Sequence, residues 1–297
     1  MGRTGVDLYP MQLETLLEDV EGFHKYVGGF AANVATGLAR LGVRVAIVSA
    51  VGDDGHGRFV RRFLESEGVD CRWLGVHPTL RTALAFCEAW PPDRFPITFY
   101  RTPTCPDWAL TAGSLDLDAI RQAPLAYVSA TGFAVEPSRL ATMAVLEARA
   151  GGQGTSILDL DWRPVLWNDP ADYAACMRTA ARLTDVALGG DDEIEAAMGA
   201  GGAAALLDLG VRVVAQKHGP RGATLHMAGR HTARVAGQSV EVVNGLGAGD
   251  AFAAAFGWRL LRGDAPAAAA EVANRAGAHV AGRLGCSIAM PEEGDLQ

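Results

Sequence analysis

An acidic residue, Asp250, follows the small residues Gly247, Ala248 and Gly249, and an alanine-rich helical run follows the acid at once. The first N–H groups of a helix have no intrahelical partner and attract anions, so a carboxylate at this position needs a reason. Two structural reasons are close packing of the helix on a strand and complementation of the helix dipole. The chemical reason is phosphoryl transfer: the N–H groups of residues 247–250 would bind a phosphate, and Asp250 would take the proton of the attacking hydroxyl.

A second glycine turn lies far upstream. The stretch VGGFAANVATGLARLG, residues 27–42, holds Gly28, Gly29 and Asn33 before an amphipathic run. The apolar residues of that run recur at helical spacing and predict a helix with one face in the core. On its own, the glycine pair indicates only a tight turn. It gains weight because the chain then has two glycine-bounded helix starts, roughly two hundred residues apart.

Apolar, β-branched runs alternate with helix-length segments along most of the chain. The run at 43–52 precedes a segment at 57–68 whose apolar residues have helical spacing. Four further strand candidates occupy residues 125–130, 156–161, 184–190 and 211–219. This alternation is typical of an α/β fold with a mostly parallel sheet covered by helices on both faces. Ligands of such sheets bind at the carboxyl ends of the strands.

Residues 81–101 break the alternation. They hold two short strand-like runs, 83–88 and 97–100, joined by a proline-rich turn with no helix between them. An antiparallel hairpin inserted in a parallel α/β chain is typical of a flap or lid. The sequence therefore predicts a single domain over residues 1–297, with a small β lid formed mainly by residues 81–101.

The composition excludes several classes of partner. With 49% hydrophobic and 20% charged residues among 297, the chain has the composition of a globular protein. Its formal net charge of -8 gives no help to binding nucleic acid or an anionic membrane, so any phosphate must be held by local groups. The five cysteines have no Cys-x-x-Cys spacing, and no apolar run has the length of a signal peptide or a membrane span. We expect reduced thiols and a cytoplasmic location.

The two glycine motifs, with a hairpin between them, resemble the ribokinase-like carbohydrate kinases. The signatures of that family are a Gly-Gly...Asn helix start near the N-terminus and a Gly-Ala-Gly-Asp turn near the C-terminus. The resemblance covers nearly the whole chain and implies a Rossmann-like α/β fold with a β lid over the sugar. It also implies ATP and Mg²⁺ as cofactors, raises K⁺ as a candidate monovalent cation, and leaves open a homodimer formed through the lid.

The resemblance also implies roles for particular residues. The catalytic base would be Asp250, and the anion hole would be formed by Gly247, Ala248 and Gly249. The sugar hydroxyls would be held by Asp7, Gly28, Gly29 and Asn33. Glu193 would act on magnesium through water. The nucleotide would lie along the stretch KHGPRG, with Lys217, Gly219 and Gly222, and its adenine would lie near Asn274.

Two arginines bear on the substrate. In LDLDWRPVLW, residues 158–167, Asp161 and Arg163 come just past a strand end, similar to the Asp-x-Asn-x-Arg element of 2-keto-3-deoxygluconate kinases. An isolated arginine is usually solvated, but Arg163 and Arg101, at the end of the hairpin, are placed by the sequence to bind the carboxylate of a sugar acid. The lid, the glycine turn and the opening GRTGVDLYP together resemble the branch of the family that phosphorylates the C6 hydroxyl of a 2-deoxy-5-keto sugar acid.

The chain departs from the family pattern in three places. Asn244 and Gly245 stand where the family has Asp-Thr, which bears on the monovalent cation. The stretch GDDE, 190–193, replaces Asn-x-x-Glu and keeps only the acid, so Asp191 and Asp192 are read as helix N-terminal residues. The opening lacks the full first strand of the family, so either the start is clipped or the central sheet lacks part of a strand.

Two alternatives to the sugar-acid kinase remain open at this point. Another sugar kinase, acting on 2-keto-3-deoxygluconate, fructose or ribose, would keep Asp250 and differ at Arg101 and Arg163. A protein of another class, which binds nucleotide or sugar on the same fold without catalysis, is favoured by the altered Asn244 and Gly245 and disfavoured by the intact Asp250.

Overall fold

The computed structural model describes residues 1–229 and 231–297, which form two compact units. We term them the lid unit and the sheet unit. The lid unit comprises Arg3–Asp107, Gln238–Trp258 and Val272–Gln297. The sheet unit comprises Met1–Gly2, Trp108–Gly237 and Arg259–Glu271. The single domain expected over residues 1–297 stays a prediction.

The lid unit is built around a four-stranded sheet and a parallel pair. Its strands are β1 (Gly5–Pro10), β2 (Phe23–Gly28), β3 (Ser49–Gly52), β4 (Leu74–His77), β5 (Leu84–Cys87) and β6 (Ile97–Tyr100). The four-stranded sheet has the order β2-β1-β5-β6, with β1 parallel to β5 and the other pairs antiparallel, and β3 pairs with β4.

The predicted hairpin at 81–101 is confirmed as β5 and β6, but it supplies only two of the four strands of this sheet. The other two strands precede the first glycine turn. Asp7 therefore lies within a lid strand, opposite Tyr26 of β2, and not at the end of a strand of the main sheet. The predicted strand at 43–52 was too long, because only its last four residues form β3.

Helices of the lid unit begin where the sequence provides a start signal. Helix α1 (Phe30–Arg40) follows Gly29, whose φ of +98° suits glycine. Helix α2 (Gly55–Ser66) begins after Asp54, whose side chain accepts a hydrogen bond from the N–H of Gly57. A core of aliphatic side chains from β1, β2, α1 and α2 packs between these elements.

The sheet unit carries the mostly parallel sheet. Its strands are β7 (Leu125–Ser129), β8 (Thr155–Asp159), β9 (Val186–Gly190), β10 (Val213–Lys217), β11 (Ala223–Met227) and β12 (His231–Val235). They are ordered β12-β11-β10-β9-β8-β7; β7 to β10 are parallel and the last two strands are antiparallel. The four strands predicted from 125–130 to 211–219 are confirmed to within two residues at each end.

Helices flank this sheet and alternate with its parallel strands. They are α3 (Leu117–Gln122), α4 (Ser138–Arg149), α5 (Pro170–Ala181), α6 (Asp191–Met198) and α7 (Gly202–Asp208). Two further helices, α8 (Ala248–Leu261) and α9 (Pro266–Ala281), contribute residues to both units. The α/β fold predicted from the alternating pattern is therefore confirmed. None of the described helices is both long and apolar enough to cross a bilayer.

Candidate active site

Small residues bring α1 and α8 close together in the lid unit. A Cβ on Gly37 of α1 would lie only 2.7 Å from the Cβ of Ala254 of α8. Four residues earlier on each helix, Asn33 and Asp250 meet, and Asn33 Nδ2 donates a hydrogen bond of 2.6 Å to Asp250 Oδ2. The two glycine motifs of the sequence thus converge on one carboxylate.

The turn before α8 needs glycine for two reasons. Gly247 has a φ of +83°, and a Cβ there would lie 2.8 Å from Cys286 Sγ. The N–H of Ala251 donates to the carbonyl of Gly247, which closes the first turn of α8. Close packing therefore accounts for Gly247, but it does not account for the acid that follows. Asp250 lies in the first turn of α8, the end of a helix that attracts anions.

Burial favours the neutral forms of two titratable side chains near this turn, Cys286 and Tyr9. Cys286 is buried, and its Sγ lies 2.9 Å from the hydroxyl oxygen of Tyr9. Burial raises the pKa of the Cys286 thiol well above its ordinary value, and it also raises the pKa of Tyr9. Both groups are therefore neutral near pH 7.

The residues expected to hold sugar hydroxyls lie around the start of α1. The Asp7 carboxylate packs directly on Gly28, where a Cβ would overlap it, and the backbone of Gly29 packs on Arg3 in the same way. The guanidinium of Arg3 lies 3.5 Å from Asp7 Oδ1 and over the ring of Phe99 in β6. Burial raises the pKa of Asp7, and the charge of Arg3 opposes that shift.

The altered pair before the glycine turn has a structural role. Asn244 is buried; its Nδ2 donates to Tyr9 Oη and to the carbonyl of Leu246, and its Oδ1 accepts from the N–H of Leu246. A Cβ on Gly245 would lie 2.9 Å from the ring of Phe95, in the hairpin turn. Both residues therefore hold the glycine turn and the lid hairpin together.

Arg101, at the end of the lid hairpin, is bound by a protein carboxylate. Its side chain is 2% exposed, and Nη2 donates to Asp107 Oδ2 at 2.6 Å. A buried charge of this kind is stable only when it is paired, so the pair with Asp107 has a structural function. The expectation that Arg101 binds a substrate carboxylate stays a prediction.

The sheet unit holds a second cluster, in which charges alternate at the carboxyl ends of β8, β9 and β10. Lys217 Nζ lies 3.3 Å from Asp159 Oδ2 and 3.9 Å from Glu193 Oε2. Arg163 Nη2 lies 3.1 Å from Asp161 Oδ1, and its Nη1 lies 3.7 Å from Glu193 Oε1. Three carboxylates and two cations leave one net negative charge. The strand ends thus bring together four of the predicted sheet-unit residues, Asp161, Arg163, Glu193 and Lys217, with Asp159.

Asp161 is held in a conformation that is rare for an aspartate. Its φ is +24°, its N–H donates to Asp159 Oδ1, and its Oδ2 accepts from the hydroxyl of Ser129 at the end of β7. Non-glycine residues in this region are strained and cluster at functional sites. The neighbouring ring of Trp162 packs on Tyr173, whose hydroxyl donates to the carbonyl of Leu160. These contacts fix the chain that carries Arg163.

Glu193 also serves its own helix. Its Oε2 accepts a hydrogen bond of 2.7 Å from the N–H of Gly190, which caps the start of α6.

The next loop, between β10 and β11, is closed by a hydrogen bond from the N–H of His218 to the carbonyl of Gly222. Gly219 and Gly222 have positive φ, and Asn274 is half-buried in α9. Across the described residues, no group of three or more His, Cys, Asp or Glu forms a ready-made metal site.

The family is established by comparison with known proteins. The model of the pfkB family carbohydrate kinase matches residues 1–293. The chain belongs to the pfkB family of carbohydrate kinases. The kinase is thus an ATP-dependent enzyme that phosphorylates a sugar, and the ribokinase-like fold that the glycine motifs predicted is confirmed.

Individual relatives agree with this assignment. A 5-dehydro-2-deoxygluconokinase of Clostridium tetani is 30% identical over 307 residues, which cover 100% of the kinase and 90% of that protein. A fructokinase from Vibrio cholerae O395, solved with fructose, ADP and potassium ion, is 27% identical with a TM-score of 0.89 over 99% of the kinase and 95% of that chain. A putative ribokinase II from E. coli, solved with ATP and Mg²⁺, has the same fold, with 22% identity and a TM-score of 0.90 over 99% and 96% of the chains.

Several residues of these clusters were not found from the sequence. Asp159 could have been, because it precedes Asp161 by two positions at the end of a predicted strand. Arg3, Ser129 and Ser287, whose hydroxyl donates to Asn33 Oδ1, carry no motif. Ser129 meets Asp161 across 32 positions and Ser287 meets Asn33 across 254, and no local pattern encodes such pairings. Arg3 lies only four positions before Asp7, but that spacing alone does not single it out.

Proposed function

We propose that the kinase transfers a phosphoryl group from ATP to the C6 hydroxyl of 5-dehydro-2-deoxy-D-gluconate. One observation carries the proposal: Asp250 lies in the first turn of α8, directly after the glycine turn, and Asn33 Nδ2 donates a hydrogen bond of 2.6 Å to its carboxylate. Asp250 would accept the proton of the attacking hydroxyl. The N–H groups of the turn would bind the charge on the transferring group.

The sheet-unit cluster suits the nucleotide. ATP supplies the phosphoryl group, and Mg²⁺ neutralises phosphate charge when both are bound. Lys217, Gly219 and Gly222 would lie along the nucleotide, with Asn274 near the adenine. Glu193 would reach Mg²⁺ through water, because Mg²⁺ keeps several waters and is held by one or two carboxylates together with the phosphates. The carboxylate-rich cluster around Glu193 fits that mode of binding.

Recognition of a sugar acid is assigned to Arg163. Its side chain is 39% exposed, so the guanidinium has a solvent-facing part, and its planar fork can bind a carboxylate through two hydrogen bonds. The similarity to the Clostridium tetani enzyme supports the same substrate class. Asp7, Gly28, Gly29 and Asn33 would hold the sugar hydroxyls.

A substrate screen tests the proposal. We expect ADP release to be at least tenfold more efficient, by kcat/KM, with 5-dehydro-2-deoxy-D-gluconate than with 2-keto-3-deoxygluconate, fructose or ribose. Phosphorus-proton correlation NMR of the product identifies the hydroxyl that is phosphorylated. A higher kcat/KM with another of these sugars would reject the substrate assignment, and the absence of ADP release with every sugar would favour the non-catalytic alternative.

The monovalent cation is part of the same assay. Asn244 offers one neutral oxygen where the family offers a carboxylate, and that oxygen already accepts a hydrogen bond from Leu246. Replacing KCl by choline chloride at equal ionic strength measures the dependence of kcat on K⁺.

The five free thiols support the cytoplasm as the place of the reaction.

We further propose a homodimer formed through the lid. Strand β6 is an edge of the four-stranded sheet, and Tyr100 on it is 60% exposed. Edge strands with exposed aromatic side chains are sites of association. Light scattering of the parent is expected to give twice the chain mass of 31.1 kDa, and Tyr100→Lys should give the mass of one chain. Leu140→Lys, at an exposed site on α4, is the control; a monomeric parent would reject the dimer.

A further inference from the structure

A third side chain continues the hydrogen-bond chain that ends on Asp250. Ser287 is fully buried, and its hydroxyl donates a hydrogen bond of 2.5 Å to Asn33 Oδ1. Asn33 in turn donates from Nδ2 to Asp250 Oδ2. The order is therefore Ser287, Asn33, Asp250, with all three residues in the lid unit.

The direction of this chain follows from chemistry. An ionised carboxylate only accepts hydrogen bonds, so the amide must present its NH₂ group to Asp250. The amide oxygen of Asn33 then faces the other way and requires a donor, and a serine hydroxyl can supply one. If that donor were missing, the amide oxygen would be a buried acceptor without its hydrogen bond, which would weaken the hold on this orientation of the amide. Ser287 thus fixes which end of Asn33 meets Asp250.

Ser287 is itself held firmly. Its neighbour Cys286 packs on Gly247 of the glycine turn, so adjacent residues of one segment contact the turn and Asn33. From the far end of α1, Arg40 donates to the carbonyls of Ile288 and Met290 at 3.0 and 2.6 Å. Glu67 binds Arg40 through two hydrogen bonds of 2.7 and 2.9 Å. The segment that carries Ser287 is therefore anchored to both ends of α1.

We propose that Ser287 is a positioning residue of the kinase, which acts through Asn33 to aim the Asp250 carboxylate at the attacking hydroxyl. This inference rests on the proposed function, in which Asp250 is the base. It gives Asn33 a role in holding the base, in addition to its expected contact with the sugar. Ser287 touches neither substrate in this scheme, so it affects the chemical step and leaves nucleotide binding unchanged.

The test is a double-mutant cycle between Ser287→Ala and Asp250→Asn. Ser287→Ala removes one neutral hydrogen bond, so we expect kcat to fall about tenfold with the nucleotide Kd unchanged. In the Asp250→Asn background, the same substitution should change kcat by less than about twofold, because residues that act as a unit are not additive. A purely structural role of Ser287 would lower kcat equally in both backgrounds.

Thr36→Val is the matched control. Thr36 lies three residues after Asn33 on α1, is equally buried, and its Oγ1 has no hydrogen-bond partner among the described residues. It therefore reports the effect of removing a buried hydroxyl that does not act on Asp250, and its kcat should match that of the parent. If Ser287→Ala lowers Tm more than Thr36→Val, the cycle is repeated with Ser287→Cys, which fills the same space.

The outcomes separate the two proposals. Turnover of Asp250→Asn close to that of the parent would reject Asp250 as the base, whatever Ser287 does. A large loss in Asp250→Asn, combined with a Ser287→Ala kcat within twofold of the parent, would reject the positioning role and leave the base intact. Equal losses from Ser287→Ala in both backgrounds would also reject it.

Discussion

Asp250→Asn is expected to lower kcat by about 10² to 10⁴-fold while ATP still binds, since a positioned general base contributes about this much. The amide that replaces the carboxylate can still accept the hydrogen bond from Asn33 through its oxygen, so the contact between α1 and α8 survives. It cannot take a proton from the attacking hydroxyl. The coupled assay measures kcat, and calorimetric titration with ATP measures the nucleotide Kd.

Asp192→Asn is the control for the helix-dipole explanation. Asp192 is an exposed acid in the first turn of α6, as Asp250 is an acid in the first turn of α8. Loss of such an acid costs about 0.3–1 kcal/mol of stability and no catalysis. If Asp250→Asn kept its turnover within tenfold of the parent and lost only that much stability, the acid would serve the dipole and the catalytic assignment would fail.

The main sheet could be predicted from the sequence because its signal is local. Strands β7 to β10 are buried apolar runs separated by helix-length segments, and burial on both faces imposes such runs. The same is true of the glycine turn, where the positive φ of Gly247 restricts the residue type. Structural features that depend on residues close together in the chain can therefore be predicted from the sequence.

Contacts between distant segments could not be predicted in this way. Strand β1 joins the lid because it pairs with β2 and β5, and a six-residue run does not encode its partners. The bond between Ser287 and Asn33 spans 254 positions and involves a serine with no motif. The pair of Arg101 with Asp107 is local, but its burial depends on the surrounding fold. In each case tertiary packing decides which of several partners a polar group meets.

The two arginines predicted to bind the sugar acid now differ as experimental probes. Replacing Arg101 would leave Asp107 as a buried, uncompensated charge, so its effect on activity would be mixed with a loss of stability. Arg163 is partly exposed and borders two carboxylates, Asp161 and Glu193, at a strand end. A substitution there is therefore the cleaner measure of carboxylate recognition.

Arg163→Met should lower kcat/KM for 5-dehydro-2-deoxy-D-gluconate by roughly ten- to a hundredfold and change kcat/KM for neutral sugars little. Charge-assisted hydrogen bonds contribute ~1.5 to 3 kcal/mol. A neutral sugar has no carboxylate with which to form them, so it loses little when the guanidinium is removed. The variant also leaves Asp161 and Glu193 with one cation fewer, which adds repulsion toward an acidic substrate. The kcat/KM of Arg163→Lys for the sugar acid should lie between the values of the parent and of Arg163→Met. Lysine keeps the positive charge but lacks the planar guanidinium that binds a carboxylate through two hydrogen bonds.

Arg178→Met is the matched control for this measurement, since it removes the same charge from an exposed position on α5 in the sheet unit. Because the overall charge changes equally in both variants, a difference between them reflects the site and not the field of the whole protein. Equal losses on acidic and neutral sugars in Arg163→Met, together with a raised KM for ATP, would assign Arg163 to the phosphates of the nucleotide. The preference for a sugar acid would then have to come from residues of the lid unit, where Arg3 lies beside Asp7.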